Sequence, residues 1–229
     1  MADAPAARPA SCGATAMPER PPYDIDPRVV RANLEAVREV AGPEVEVLAA
    51  TKYVELEDMG SLAEAGITLV GENRLQDLER KRERWGDAFE WDFIGNLQSR
   101  KVKSILPLVR LIHSVATDSA LAQLERHAPQ GAEVLVEVDL AGEESKSGVR
   151  EAELGEFIAR APVNVSGLMT MPPFATDPEA SRPYFARLAE LAAEHGLDRL
   201  SMGTSQDWPV AVEEGATIIR LGTSLYRES

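Results

Sequence analysis

Lys52 ends an apolar run, Val45-Glu-Val-Leu-Ala-Ala-Thr-Lys52, in a chain with five lysines against nineteen arginines. Arg, Asp and Glu supply the surface charge, so a lysine at the mouth of a buried strand asks for its own explanation. A desolvated lysine sheds its charge and attacks a carbonyl as a free amine. A lysine that only snorkels to water does neither. Two later segments share one composition, Ser201-Met-Gly-Thr-Ser205 and Arg220-Leu-Gly-Thr-Ser224. In each, glycine lets a ligand approach the backbone, and the hydroxyls donate hydrogen bonds. Such residues also build ordinary turns and caps. Two matching segments together read better as a phosphate cradle lined by free backbone N–H groups.

The elements that must position these residues alternate strictly. A helix starts at Asp26-Pro27, carries Val29, Val30, Leu34, Val37 and Val40 as an apolar stripe, and stops at Gly42. Strands are expected at 45–50, 67–70, 91–94, 110–113, 133–138, 163–168, 199–202 and 217–221. Helices are expected near 56–65, 74–84, 98–105, 118–127, 151–160, 178–194 and 206–214, set off by Gly and Pro. Eight strands with intervening helices predict an α/β fold, a single (β/α)8 TIM barrel over 23–229 with an additional N-terminal helix. A doubly wound open sheet is the alternative. Residues 1–22, rich in Ala and Pro, are expected to form a disordered tail.

In a TIM barrel the loops after the strands carry the chemistry, and those after strands seven and eight are the usual phosphate site. Lys52 after strand one would face that cradle across the junction where the barrel closes. A ligand with an aldehyde at one end and a phosphate at the other fits this arrangement. Pyridoxal 5′-phosphate is the first candidate, and a phosphorylated sugar held as a Schiff base, as in class I aldolases, is the competing one.

The formal net charge of −14 repels phosphate backbones and anionic lipid heads, so nucleic acid and membranes are not expected partners. The one cysteine, Cys12, and three scattered histidines give neither a disulfide framework nor a metal site, and fit a reducing, cytoplasmic compartment. No apolar stretch approaches the ~18 residues that span a bilayer. A monomer is expected. Arg100-Lys101-Val102-Lys103 is the one notable basic patch, read as a solvated helix face with a partner contact as the alternative. His113 reads as a packed or surface imidazole, Trp85, Trp91 and Trp208 as packing, and Lys146 as a solvated loop lysine or a relay for the ligand.

Ala49-Ala50-Thr51-Lys52, Gly71-Glu72-Asn73, Phe93-Ile94-Gly95-Asn96-Leu97-Gln98 and Ser145-Lys146-Ser147-Gly148 form a motif series with Gly167-Leu168-Met169, Ser201-Met202-Gly203-Thr204-Ser205-Gln206-Asp207 and Arg220-Leu221-Gly222-Thr223. The series resembles the pyridoxal-phosphate-binding homeostasis proteins of the YggS/PROSC type, from about residue 28 onward. The resemblance implies a barrel similar to the N-terminal domain of alanine racemase, with pyridoxal 5′-phosphate held as a Schiff base on Lys52. It implies that Asn73 lies beside the cofactor, that Ser205, Gly222 and Thr223 hold the phosphate, and that Arg220 faces the pyridine nitrogen. Asp92, Arg100 and the Leu225–Ser229 ending depart from the family pattern at positions away from the cofactor.

On this reading, burial and Arg220 would depress the Lys52 pKa from ~10.4 and favour imine formation. Arginine keeps its proton, so Arg220 would leave the ring nitrogen unprotonated and the cofactor a weak electron sink. Transamination and decarboxylation are then disfavoured. Racemisation needs an acid/base group on each face of the cofactor. Lys52 supplies one, no second domain is expected to supply the other, and Tyr53, adjacent in a strand, should point away. The expected function is intracellular storage or delivery of the cofactor with little or no catalysis, and apo-enzymes that use the same cofactor are the expected partners. An amino-acid racemase is the alternative.

Overall fold

The computed structural model describes residues 25–142 and 147–227. The expected tail with Cys12, and Tyr23, Ser145 and Lys146, lie outside the described residues. Helix α1 (Pro27–Ala41) begins where Asp26 accepts the backbone N–H of Arg28 at 2.8 Å, and stops at Gly42 with φ +81°. Val30, Leu34 and Val37 are its buried stripe.

Among the described residues nine strands follow: β1 (Glu46–Ala50), β2 (Leu69–Glu72), β3 (Glu90–Phe93), β4 (Leu111–Val115), β5 (Glu133–Asp139), β6 (Val149–Arg150), β7 (Asn164–Met169), β8 (Arg199–Ser201) and β9 (Ile218–Leu221). All pair in parallel, in the order β4-β3-β2-β1-β9-β8-β7-β5, and β4 pairs with β5 to close the ring. The eight-stranded barrel predicted from the alternation is therefore the fold. β6 is a two-residue addition alongside β5 that the sequence pattern did not predict.

The outer helices are α2 (Met59–Glu64), α3 (Leu75–Trp85), α4 (Val102–Ile105), α5 (Asp118–His127), α6 (Leu154–Ala159), α7 (Arg182–Glu194), α8 (Trp208–Glu213) and α9 (Thr223–Tyr226). The expected helix over 98–105 is divided into a 3-10 turn (Ser99–Lys101) and α4, and a second 3-10 turn (Leu106–Leu108) that contains Pro107 follows it. β2 starts two residues later than predicted, because Ile67 bonds its N–H back to the Leu62 carbonyl and packs under α2. Glu72 thereby falls inside a strand, and Asn73 is the first residue beyond it.

Two apolar clusters hold the barrel. The larger fills the layer between strands and helices, from Leu34 of α1 to Phe185 of α7. Inside the ring, Leu48, Leu69, Leu111, Leu135, Met169 and Ile218 form a smaller one. Burying each such side chain stabilises the fold by about 1.5–3 kcal/mol. Two residues further along three of these strands, on the same inward face, stand His113, Glu137 and Arg220, all buried. Along these three strands the interior turns from apolar to polar toward the C-terminal ends, while on β3 buried Asp92 stands level with Leu111.

Candidate functional site

β1 ends at Ala50, and Lys52 stands exposed in the turn that follows. The burial expected for this amine is absent, because the strand stops before it. Its Nζ lies 4.9 Å from the centroid of the Tyr53 ring. Tyr53 was predicted to point away, but strand alternation no longer applies once the chain has entered a turn. The turn is held from several sides. Lys81 of α3 donates to the Thr51 carbonyl at 2.7 Å, Trp85 Nε1 donates to the Leu56 carbonyl at 3.0 Å, and the Tyr226 hydroxyl donates to the Ala50 carbonyl at 3.2 Å.

Asn73 sits at the end of the neighbouring strand. Its backbone N–H donates to Glu72 Oε2 at 3.3 Å, while its side-chain Oδ1 is buried without a hydrogen-bond partner. The loop after β3 crosses close by: a Cβ on Gly95 would come within 2.1 Å of the Asn73 carbonyl oxygen. Only a glycine leaves room for that approach.

The two Gly-Thr-Ser segments meet as predicted. Gly203 takes φ +88°, and its carbonyl accepts the Arg220 N–H at 3.0 Å, which ties the start of the β8 loop to β9. Buried Asp207 shapes that loop by accepting from Thr204 N–H (2.7 Å), Thr204 Oγ1 (3.0 Å) and Ser181 Oγ (2.8 Å). From the β9 side, Gly222 N–H, Ser224 N–H and Ser224 Oγ all point to Ser205 Oγ, at 3.0, 3.1 and 3.1 Å. Thr223 lies between these donors in the same turn.

Arg220 lies deeper, beside Leu48 in the β1–β9 register. Its guanidinium donates to Ser201 Oγ at 2.6 Å, to the Thr170 carbonyl at 3.0 Å and to Met171 Sδ at 2.9 Å. Burial pulls its pKa down to about 10, against the opposing pull of Glu137 and Asp207. Ser201 Oγ also lies 2.8 Å from His113 Nδ1, and His113 Nε2 lies 3.1 Å from Asp92 Oδ2. Asp92 in turn accepts both arms of Arg110, at 3.1 and 2.9 Å, near the far mouth of the barrel. Burial lowers the His113 pKa, with Asp92 acting in the opposite sense. Burial alone would raise Asp92, but His113 and Arg110 outweigh it and hold the carboxyl below its ordinary value. Burial raises Glu137, against the hydrogen bond from Ser147.

Around the rim, β2, β1, β9 and β8 are consecutive, so Asn73, Lys52, Gly222–Thr223 and Ser205 follow one another in that order. Hydrogen bonds join Ser205 to Gly222 directly, and they join the Lys52 turn to Asn73 through Glu72, which accepts from Thr51 Oγ1 at 2.6 Å. Lys101 and Lys103 lie apart, after β3, with Lys103 exposed. Lys81, Glu72 and the Asp92–His113–Ser201 chain were not picked out from the sequence as site residues. Lys81 had a signal, since it continues the Leu75, Leu78 spacing of the buried face of α3. Asp92, His113 and Ser201 interrupt apolar strands at inward positions, whereas Glu72 ends β2 facing outward, toward Lys81 of α3.

The barrel and this rim have counterparts among known proteins. A family model described as alanine racemase, N-terminal domain, matches residues 25–229. The pyridoxal phosphate homeostasis protein of Aquifex aeolicus is 42% identical over 196 residues, which are 80% of this chain and 86% of that protein. That of Vibrio cholerae is 32% identical over 219 residues, 87% of this chain and 93% of its own length. Among solved structures, PipY of Synechococcus elongatus PCC7942 with PLP bound superposes with a TM-score of 0.75 at 29% identity, over 86% of this chain and 100% of that one. With Asn73, the Lys52 turn and the two Gly-Thr-Ser loops on one rim of the same barrel, the chain belongs to the alanine racemase N-terminal domain family and, within it, to the pyridoxal phosphate homeostasis proteins.

Proposed function

We propose that this chain binds pyridoxal 5′-phosphate through Lys52 and serves its homeostasis by storing or delivering it, with little or no catalysis. The observation that carries this reading is the run of Asn73, Lys52, Gly222–Thr223 and Ser205 along adjacent strand ends. The names of the relatives and the PLP-bound PipY structure support it.

The residues present fit the group. Gly222 N–H, Ser224 N–H and Ser224 Oγ converge on Ser205 Oγ, a set of donors that a phosphate oxygen would take over from that hydroxyl. The unpartnered Asn73 Oδ1 offers a buried acceptor beside the Lys52 turn. When bound, the cofactor supplies an electron sink whose strength depends on protonation of its ring nitrogen. Arg220, still protonated at neutral pH with a pKa of about 10, can only donate toward that nitrogen and does not hand its proton over. The free amine of Lys52 adds to the aldehyde with loss of one water. An exposed lysine keeps the captured aldehyde within reach of other amines, which suits a carrier that supplies apo-enzymes. No described helix is long and apolar enough to cross a membrane, and the acidic, cysteine-poor composition supports a place in the cytoplasm.

A second reading, an amino-acid racemase, draws on one observation, the Tyr53 ring held against Lys52. Adding the cofactor to purified protein should produce visible absorbance that borohydride abolishes, leaving the added mass on Lys52. A mass on any other residue, or none, overturns the proposal. Amino-acid racemisation at ordinary enzymatic rates of roughly 1–10³ per second, lost in Tyr53→Phe, would establish the second reading instead.

A further inference from the structure

α3 carries a lysine that is almost completely buried. Lys81 is 1% exposed, and its ammonium lies 2.6 Å from Glu72 Oε1 and 2.7 Å from the Thr51 carbonyl oxygen. Glu72, at the end of β2, has no exposed surface. The same Oε1 accepts the Thr51 hydroxyl at 2.6 Å, and Oε2 accepts the Asn73 N–H at 3.3 Å. One carboxylate therefore grips the residue before Lys52 and the residue that is Asn73 itself.

Stability does not account for this pair. Two charges taken out of water are costly, and an apolar pair of similar volume often serves a fold as well or better. What an apolar pair lacks is direction. Lys81 and Glu72 fix the Thr51 carbonyl and hydroxyl and the Asn73 N–H at once, and so set the angle at which the backbone leaves β1 and β2. Lys52 is exposed and its turn is not part of the sheet, so the backbone beneath must supply its aim.

We infer that Lys81 and Glu72 are positioning residues, which hold Lys52 and Asn73 in register with each other for capture of the aldehyde end of the ligand. The inference rests on the proposed role of Lys52. Neither side chain touches the ligand, and both act through Thr51 and the Asn73 backbone. Misplacement of a reacting group by about 1 Å can cost on the order of a hundredfold in rate.

The test uses the full chain with Lys81→Met and Glu72→Gln combined, which removes both charges and keeps the side-chain shapes. Covalent capture is followed by absorbance across a range of pyridoxal 5′-phosphate concentrations, with borohydride trapping and mass analysis at the end of each run. Urea unfolding without cofactor reports the fold. The expected result is a limiting capture rate at saturating cofactor that falls about tenfold or more, while the half-saturating concentration and the urea midpoint barely move. A merely structural pair would shift the midpoint and leave the limiting rate of the folded fraction unchanged, and that outcome overturns the inference alone. Wild-type protein without an adduct on Lys52 overturns the proposed function, and this inference with it. Should the double variant not fold, Thr51→Val keeps both charges and removes the hydroxyl bond to Glu72. It is expected to slow capture about threefold, and a wild-type rate there overturns the inference.

Discussion

His113 Nε2 faces Asp92 Oδ2 at 3.1 Å in the barrel interior, and neither side chain has any exposed surface. The direction of this bond follows from the far end of the chain of contacts. Arg220 can only donate, so Ser201 Oγ accepts from it and turns its own proton to His113 Nδ1. Nδ1 is then the acceptor, and Nε2 carries the proton given to Asp92. The imidazole is held neutral in one tautomer by an arginine it does not touch.

This arrangement makes stability depend on pH with a definite sign. The folded pKa of His113 lies below its ordinary 6.5. Its contribution is full above that value and is lost as the pH falls through the folded pKa, because the unfolded chain takes up the proton first. Asp92, also depressed, adds a loss below its ordinary 3.8. Glu137, raised by burial, acts in the opposite sense, so wild type is compared with a variant that shares it. His113→Leu is expected to be less stable at pH 7 by roughly 2–4 kcal/mol and to lose less stability than wild type between pH 7 and pH 5. Thermal unfolding at several pH values checks this, and an unchanged slope counts against it.

Ser201→Ala leaves Arg220 and His113 short of a buried partner at the same time. A loss of roughly 1–3 kcal/mol is expected, visible as a lower urea midpoint, together with weaker retention of the cofactor because Arg220 is less firmly aimed. Ser201→Thr keeps the hydroxyl and should recover part of both.

Gly95→Ala would place a methyl within 2.1 Å of the Asn73 carbonyl oxygen. Overpacking of this kind costs typically about 1–3 kcal/mol, and relief can come only by moving Asn73 or the β3 loop. Cofactor titration of the variant is expected to show weaker binding along with a lower melting temperature. Normal affinity in the folded variant would argue against Asn73 as a contact.

Lys52→Ala should divide chemistry from stability. The side chain is exposed and lies over the Tyr53 ring, so unfolding should change by no more than about 0.5–1 kcal/mol. Borohydride-trapped adduct should disappear, while phosphate binding at the β8 and β9 loops, read by calorimetry, should persist.

The strand–helix alternation was legible because each barrel strand here is a short apolar run bounded by Gly or Pro, and the rim residues were legible because they follow those runs. The exit of the chain from β1 was not. Nothing in Ala-Ala-Thr-Lys-Tyr shows that pairing stops at Ala50, so Lys52 looked buried and Tyr53 looked turned away. Lys81 hid in Leu-Glu-Arg-Lys-Arg-Glu-Arg, which reads as a solvated face until its spacing from Leu75 and Leu78 is counted. Asp92, His113 and Ser201 each looked like an isolated polar residue, since the register that stacks three strands is set by closure of the ring and not by any one segment.

The Tyr226 hydroxyl, bonded to the Ala50 carbonyl, belongs to the short helix that opens with Thr223 and Ser224. On the proposed function, this one turn would bear on both ends of the ligand, meeting the phosphate with its first residues while its last steadies the lysine's strand. Grip and let-go at the two ends would then be a single mechanical act, so that a recipient dislodging this turn would loosen the whole cargo at once.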